Sequence, residues 1–263
     1  MPRDVVRNSL LAFALAVTVG CAGTGGPTAA TSGGSSPGSQ AAMTNKGIAN
    51  LNLAQNYLAA GKLEYALDRA NRALRSDPNS ADVQVVLGLI RERLGDSTRA
   101  GEHFERAGKL DPESGHVLNV YGVWLCEKGR AAEAETVFAR AVKDPFYKAR
   151  DQAYFNAGNC AMRAGQLDAA EKHLRQGIEV APESPALLGQ MAELQFRRGN
   201  FMSARAFYQR RESLGPVSPE LLDLAVRIEQ GAGDAAAAGR YRQRLQQQFP
   251  DFTPSDNQGS FQP

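Results

Sequence analysis

A spacing of 34 residues constrains the fold of this chain more than any other sequence feature. Pro78 and Pro112 are 34 residues apart, and Pro182, Pro216 and Pro250 follow one another at the same interval. In the segment 81–114 a fixed set of small and apolar residues accompanies the proline. They stand at places 7, 8, 20, 24, 27 and 32 of the unit: Leu87, Gly88, Ala100, Phe104, Ala107 and Pro112. Internal periods of this length are typical of stacked repeats.

These places resemble the tetratricopeptide repeat (TPR), a hairpin of two helices. Placing each proline near place 32 divides the chain into six units: 47–80, 81–114, 115–148, 151–184, 185–218 and 219–252. Two inserted residues, Ala149 and Arg150, separate the third unit from the fourth. We therefore predict an all-α fold, a right-handed superhelical solenoid of about six TPR repeats in which each hairpin covers the apolar face of its neighbour.

The residue type at each place has a physical reason. Gly or Ala at place 8 is expected to face Ala at place 20, which would let the two helices approach closely. Glycine at place 15 suits a turn with positive φ. Proline at place 32 ends the second helix.

The N-terminus has the features of an export signal. Residues 1–20 combine Arg3 and Arg7 with a short apolar run that is too short to span a bilayer, as in a signal peptide. Small residues before Cys21 resemble a bacterial lipobox, although Thr18 replaces the usual leucine. An ordinary secretory signal with an incidental cysteine is the alternative. We favour a lipoprotein with acylated Cys21 on the periplasmic face of the outer membrane, since no Asp follows the cysteine.

Composition separates two further segments from the repeats. Residues 21–46 contain the acylated cysteine and a Gly/Ser-rich stretch with almost no large apolar residue, which predicts a flexible tether. Residues 253–263 are expected to be a disordered tail.

Charge and motifs argue against several classes of function. With 30 basic and 28 acidic residues the net charge is +2, which gives no sign of a nucleic-acid partner. His103 and His173 both fall at place 23, predicted to be exposed, and no metal-ligand spacing accompanies them. No phosphate-binding loop or nucleophile motif is present. We predict a monomeric, non-enzymatic protein without catalytic residues, metal or cofactor.

Cys126 and Cys160 are one repeat length apart and fall on the first helices of neighbouring repeats. An oxidising periplasm favours a disulfide between them. The alternative is a pair of buried thiols, which are common in protein cores.

The predicted binding surface is a groove lined by places 2, 5, 9 and 12 of the first helices. The residues assigned to this groove are Ile48, Leu51, Gln55, Leu58, Val85, Leu89, Phe155 and Asn159. The four in the first repeat form an apolar strip with two interpretations. It is either the uncapped end of the array, partly covered by its own tether, or a site for an apolar segment such as an amphipathic peptide or an acyl chain.

Three stretches resemble a narrower family, the type IV pilus biogenesis lipoproteins PilF and PilW. They are NVYGVWLCEKGRAAEAETVFARAV from residue 119, DPFYKARDQAYFNAGNCAMRAGQLDAAEKHLRQGI from residue 144 and QMAELQFRRGNFMSARAFYQR from residue 190. The resemblance implies a pilotin, an outer-membrane lipoprotein that promotes localisation and multimerisation of a secretin subunit. It also implies a disulfide at Cys126 and Cys160. Thr18 and the long tether depart from the family. The alternatives are a general periplasmic scaffold for envelope or cell-wall complexes, and an enzyme with an appended site.

Overall fold

The computed structural model describes residues 43–253, and in this range the regular secondary structure consists of twelve α-helices, numbered in chain order. The first helices of the six hairpins are α1 (Asn45–Ala59), α3 (Ala81–Arg93), α5 (Gly115–Glu127), α7 (Arg150–Arg163), α9 (Pro185–Arg197) and α11 (Pro219–Gly231). The second helices are α2 (Leu63–Ser76), α4 (Ser97–Leu110), α6 (Ala131–Ala141), α8 (Leu167–Val180), α10 (Phe201–Glu212) and α12 (Ala235–Gln248).

The twelve helices pack in chain order. Each first helix packs most extensively on the second helix of its own hairpin, and each hairpin then contacts the next one. The predicted all-α solenoid of about six repeats is thus confirmed for the described residues. The boundaries differ slightly, since α1 begins at Asn45, two residues before the predicted start, and α7 begins at Arg150.

Short polar side chains start several of these helices. The hydroxyl groups of Thr44, Ser80 and Ser114 accept hydrogen bonds from backbone N–H groups in the first turns of α1, α3 and α5. These caps satisfy donors that have no partner inside the helix. One polar residue before each of these three helices therefore fixes the position at which the helix begins.

The turn inside each hairpin contains a glycine at place 15. All six adopt positive φ, between 69° and 79°: Gly61, Gly95, Gly129, Gly165, Gly199 and Gly233. This backbone conformation is costly for residues with a Cβ atom, which confirms the predicted reason for glycine at this place.

The small residue at place 8 has a different neighbour from the one predicted. A Cβ atom at Gly122 would lie 2.7 Å from the ring of Phe138, and one at Gly88 would lie 2.8 Å from the ring of Phe104. Phe104 and Phe138 occupy place 24, so the glycine makes room for a bulky side chain on the second helix. Close approach of the two helices at the alanine of place 20 is therefore not the main reason for glycine at place 8.

Replacing Gly122 by alanine should lower the free energy of unfolding by about 1–3 kcal/mol, because the new methyl group overlaps the buried Phe138 ring. Gly239 is the matched control, since a Cβ atom there meets nothing within 4 Å. Gly239→Ala should raise stability by about 0.5–1 kcal/mol through helix propensity. Urea denaturation of both variants measures the two changes, and equal effects would contradict the packing described.

Three predicted segments lie outside the described residues: the signal peptide, the acylated Cys21 with the tether as far as residue 42, and the tail from residue 254 onward. Among residues 43–253, none of the helices combines the length and apolar character needed to cross a membrane.

Candidate partner-binding groove

The first helices form a continuous row, because each of them contacts the next one along the chain. We call the surface formed by places 2, 5, 9 and 12 of these helices the first-helix face. At the first junction, Nη1 of Arg93 in α3 donates a hydrogen bond to the carbonyl oxygen of Leu58 in α1 at 2.7 Å. At the second, Nε1 of Trp124 in α5 donates to Glu92 in α3 at 2.9 Å.

The remaining junctions carry further polar contacts. The Asn156 amide in α7 donates to Asn119 in α5 at 3.0 Å, and Gln190 in α9 donates to Asn159 in α7 at 3.4 Å. At the last junction the guanidinium of Arg227 in α11 lies 5.0 Å from the ring centre of Phe196 in α9. Specific contacts at every junction fix the spacing of the first helices, and therefore the width of the face they share.

The structure separates the predicted groove residues into two groups. Leu51 is only 4% exposed and Leu58 8%, and both pack into the core between the first two hairpins. Val85 is also buried, in a cluster with Ala107 and Val117. The predicted apolar strip of repeat one is therefore wrong for Leu51 and Leu58, because both side chains belong to the core and not to the accessible surface of α1.

The other predicted residues remain accessible. Leu89 is 37% exposed. Ile48, Gln55, Phe155 and Asn159 are half-buried along the same row of helices. The accessible part of the first-helix face thus combines apolar side chains with amides and carries little charge in its first four repeats.

A disulfide crosses the third junction of this row. Cys126 in α5 and Cys160 in α7 are bonded, with their Cα atoms 5.7 Å apart. Of the two interpretations of this pair, a bridge or two buried thiols, the structure contains the bridge. It links the hairpins on either side of the two-residue insertion at Ala149 and Arg150.

Glu92 is the most connected polar side chain of the face. Its carboxylate accepts hydrogen bonds from Lys128 Nζ at 2.5 Å, from Trp124 and from the Ser97 hydroxyl. The hydrogen bond from Lys128 is the main cause that lowers the pKa of Glu92 below its usual range, although partial desolvation opposes it. The contacts of Glu92 lock the second hairpin to the third.

This lowered pKa makes the second junction sensitive to acid. When folding lowers the pKa of a carboxyl group, the ionised group stabilises the folded protein at pH values above its pKa in the unfolded chain. This stabilisation is lost as the pH falls through the pKa of the folded state. Glu92→Gln should therefore lower stability at pH 7 by up to about 1 kcal/mol, with a smaller difference at pH 3. Urea denaturation at both pH values measures this. The matched control is Glu127→Gln, which replaces an exposed carboxylate in α5.

The histidines differ from their predicted exposure. His173 is buried, and its Nε2 lies 2.7 Å from a carboxylate oxygen of Glu135 in the preceding hairpin. His103 is half-buried beside Gln84, and burial lowers its pKa. Across residues 43–253, no group of three or more His, Cys, Asp or Glu side chains is placed to hold a metal ion.

A polar cavity of about 400 Å³ is lined by residues of α10, α11 and α12. Three carboxylates line it. Arg205 donates to Glu229 at 2.9 Å and lies 3.9 Å from Asp234, and Arg244 pairs with Glu212. Tyr241, which lines the cavity, and the buried Tyr208 also donate to Glu212. The arginines and tyrosines use the lone pairs that a general base would need, so the network is interpreted as a contact between hairpins five and six.

Family comparisons agree with this architecture. One tetratricopeptide repeat model matches residues 51–115, 95–153 and 125–187, and a second matches residues 161–228. Together these matches cover more than half of the chain. The chain belongs to the tetratricopeptide repeat family. The matched residues, 51–228, run from α1 into α11.

Individual proteins narrow the relationship within the TPR family. PilF of Pseudomonas aeruginosa, a type IV pilus assembly protein, is 27% identical over 202 residues, covering 77% of this chain and 80% of PilF. The solved structure of PilW, described as a widely conserved type IV pilus biogenesis factor, has a TM-score of 0.73 at 27% identity and covers 80% of this chain and 96% of PilW. A structure of PilF gives 0.69 at 25% identity, covering 79% and 93%. The resemblance to the PilF/PilW family is confirmed.

Proposed function

We propose that this TPR protein is a pilotin of type IV pilus biogenesis. In this role it binds a secretin subunit on the periplasmic face of the outer membrane and promotes the localisation and multimerisation of that subunit. The observation that carries the proposal is the match to PilF and PilW, which extends over about four fifths of the chain and nearly all of the PilW structure. A likeness of that extent spans several repeats, rather than one generic repeat.

The first-helix face supplies the proposed binding surface. Leu89 and Phe155 offer apolar contact area, while Gln55 and Asn159 offer amide donors and acceptors. A face of this kind suits a peptide segment with alternating apolar side chains whose backbone can hydrogen-bond to the amides. The core beneath this face contains Leu51, Leu58 and Val85, and the accessible side chains pack on it.

Acylation at Cys21 is the second part of the proposal. A lipid anchor confines the protein to the membrane surface and raises its effective concentration toward a partner at that surface. The first-helix face then supplies specificity. Metabolic labelling with radioactive palmitate should mark the protein, and Cys21→Ser should abolish the label. An unlabelled wild-type protein would refute the anchor.

Two leucines near the end of α3 allow a matched test of the face. Leu89 lies on the first-helix face at 37% exposure, and Leu94 lies at the hairpin turn at 42% exposure. Leu89→Glu should weaken capture of the secretin subunit about tenfold or more, since burying a charge in an apolar contact is costly. Leu94→Glu should have little effect on capture.

The cellular experiment is deletion followed by complementation. Loss of the gene should remove secretin multimers and twitching motility, and the wild-type and Leu94→Glu proteins should restore both, whereas Leu89→Glu should not. Normal multimers in the deletion strain would refute the pilotin role. If a cell-wall defect accompanied those normal multimers, the result would favour a general envelope scaffold.

A further inference from the structure

One edge of the array carries the point at which the N-terminal segment joins it. Every first helix begins and every second helix ends at this edge, which we call the entry edge. Met43, the first described residue, accepts a hydrogen bond on its sulfur from the Ser80 hydroxyl at 3.2 Å. The backbone N–H of Thr44 donates to Asp77 at 2.9 Å. The described part of the chain therefore begins at the entry edge.

The loop after α6, residues 142–149, lies at the same edge and is held firmly. The Asp144 carboxylate accepts hydrogen bonds from the N–H of Gly115 at 2.8 Å and from the N–H of Phe146 at 2.8 Å. Tyr147 is buried against Gly115, where a Cβ atom would lie 2.6 Å from it. The loop is therefore ordered on both sides of residue 146.

Phe146 itself is 59% exposed at the tip of this loop. Lys143, Lys148 and Arg150 are exposed around it, and within residues 43–253 none of these three cations forms an ion pair. The next two repeats add apolar side chains to the same edge, Val180 at the end of α8 and Leu214 just after α10, both exposed. Glu179 and Glu183 accompany Val180, and Asp151 directly follows Arg150, so the three cations next to Phe146 lie on an edge that also carries carboxylates.

From this arrangement we propose that the entry edge contacts a lipid bilayer with anionic headgroups, and that Phe146 inserts between the headgroups while Lys143, Lys148 and Arg150 pair with lipid phosphates. An exposed aromatic ring surrounded by cations matches the chemistry of that interface. The inference rests on the proposed acylation of Cys21, which would bring the entry edge to the membrane.

Two features favour a bilayer over an acidic protein as the partner. The described chain begins at this edge with Met43, so an anchor at Cys21 would raise the effective concentration of the edge toward the membrane. The Phe146 loop is also ordered before contact, so less conformational entropy is lost when the loop binds the membrane surface. Contact of this kind would fix the orientation of the array and hold the first-helix face at a constant angle to the membrane.

Fluorescence quenching in vesicles tests the contact. The processed, acylated protein is labelled with an environment-sensitive aromatic fluorophore, which takes the place of the Phe146 ring, at Phe146→Cys or, as a control, at Gln166→Cys, an exposed position at the opposite edge. Each is reconstituted into vesicles of phosphatidylethanolamine and phosphatidylglycerol containing lipids with a spin label near the headgroup. We expect strong quenching at position 146 and little at 166. Changing Lys143, Lys148 and Arg150 together to Gln should reduce the quenching at 146.

The outcomes separate this inference from the proposed function. Protein that floats with the vesicles but shows no greater quenching at 146 than at 166 would overturn the membrane contact and leave the anchor intact. That outcome is the one expected if an acidic protein is the true partner of the edge. Protein that fails to float would overturn both the anchor and the contact. Quenching at 146 that persists in vesicles of phosphatidylcholine alone would refute the role of the anionic headgroups.

Discussion

Replacing Phe138 by alanine should lower the free energy of unfolding by about 3–5 kcal/mol, as is usual when a fully buried aromatic ring is removed. The Phe138 ring is buried in the core of the third hairpin and lies directly over Gly122. Alanine would leave a cavity that the rigid helices α5 and α6 cannot close, so the transfer and cavity costs both apply. Urea denaturation followed by circular dichroism measures the change.

Phe146 provides the control because it is the same residue type, eight positions away, and exposed at the tip of its loop. Phe146→Ala should change stability by no more than about 0.5 kcal/mol, as is usual for surface substitutions. Similar losses for the two variants would show that the third hairpin does not pack as described. The same Phe146 variant should still weaken the proposed membrane contact, so the stability and binding effects can be told apart.

Removing the disulfide should lower the free energy of unfolding by about 4 kcal/mol. The bridge closes a loop between residues 126 and 160, a sequence separation of 34, and so limits the conformations of the unfolded chain. The double substitution Cys126→Ala, Cys160→Ala should show this loss in urea denaturation. Its effect should spread to both hairpins beside the insertion, since the bridge joins α5 to α7.

Reduced wild-type protein is the control for the cysteine substitutions, because it keeps both side chains and lacks only the bond. It should lose about as much stability as the double variant. Thiol counting on oxidised, denatured protein should find neither Cys126 nor Cys160 free. Two reactive thiols, or a double variant as stable as the oxidised wild type, would contradict the bridge.

The repeat pattern predicted the architecture well because every place in the unit has a local physical cause. The glycines at place 15 need positive φ, so their role could be predicted from single residues. The pairing of Cys126 with Cys160 followed from their separation by one repeat together with the inferred compartment. None of these inferences required knowledge of contacts between distant residues.

Places in the unit do not determine burial, and this is where the sequence interpretation failed. Leu51 and Leu58 occupy places that usually face the groove, but the close packing of α1 against its neighbours buries them. His173 occupies the same place as His103 but is buried, and its Nε2 lies 2.7 Å from Glu135 of the preceding hairpin. Such contacts depend on which side chains the adjacent repeats carry. A consensus repeat pattern does not contain this information.

The Phe146 loop shows the same limit. The inserted residues marked an irregular junction in the sequence, but nothing in the pattern showed that Asp144 and Tyr147 would hold the loop in place. Likewise, the carboxylate of Glu92 could not be linked to Trp124 and Lys128 until α3 and α5 were seen side by side. A search for carboxylates near the end of one first helix and cations near the end of the next could have found this contact.

Site-specific photo-crosslinking in cells tests the central proposal most directly, namely that the first-helix face binds a secretin subunit. A benzophenone amino acid is placed at Leu89 on that face or at Leu94 at the hairpin turn, and products are identified by mass and by antibody against the secretin. The account predicts a secretin adduct from position 89 and none from position 94. A secretin adduct from position 94 alone, or from neither position while secretin multimers still form, would contradict it.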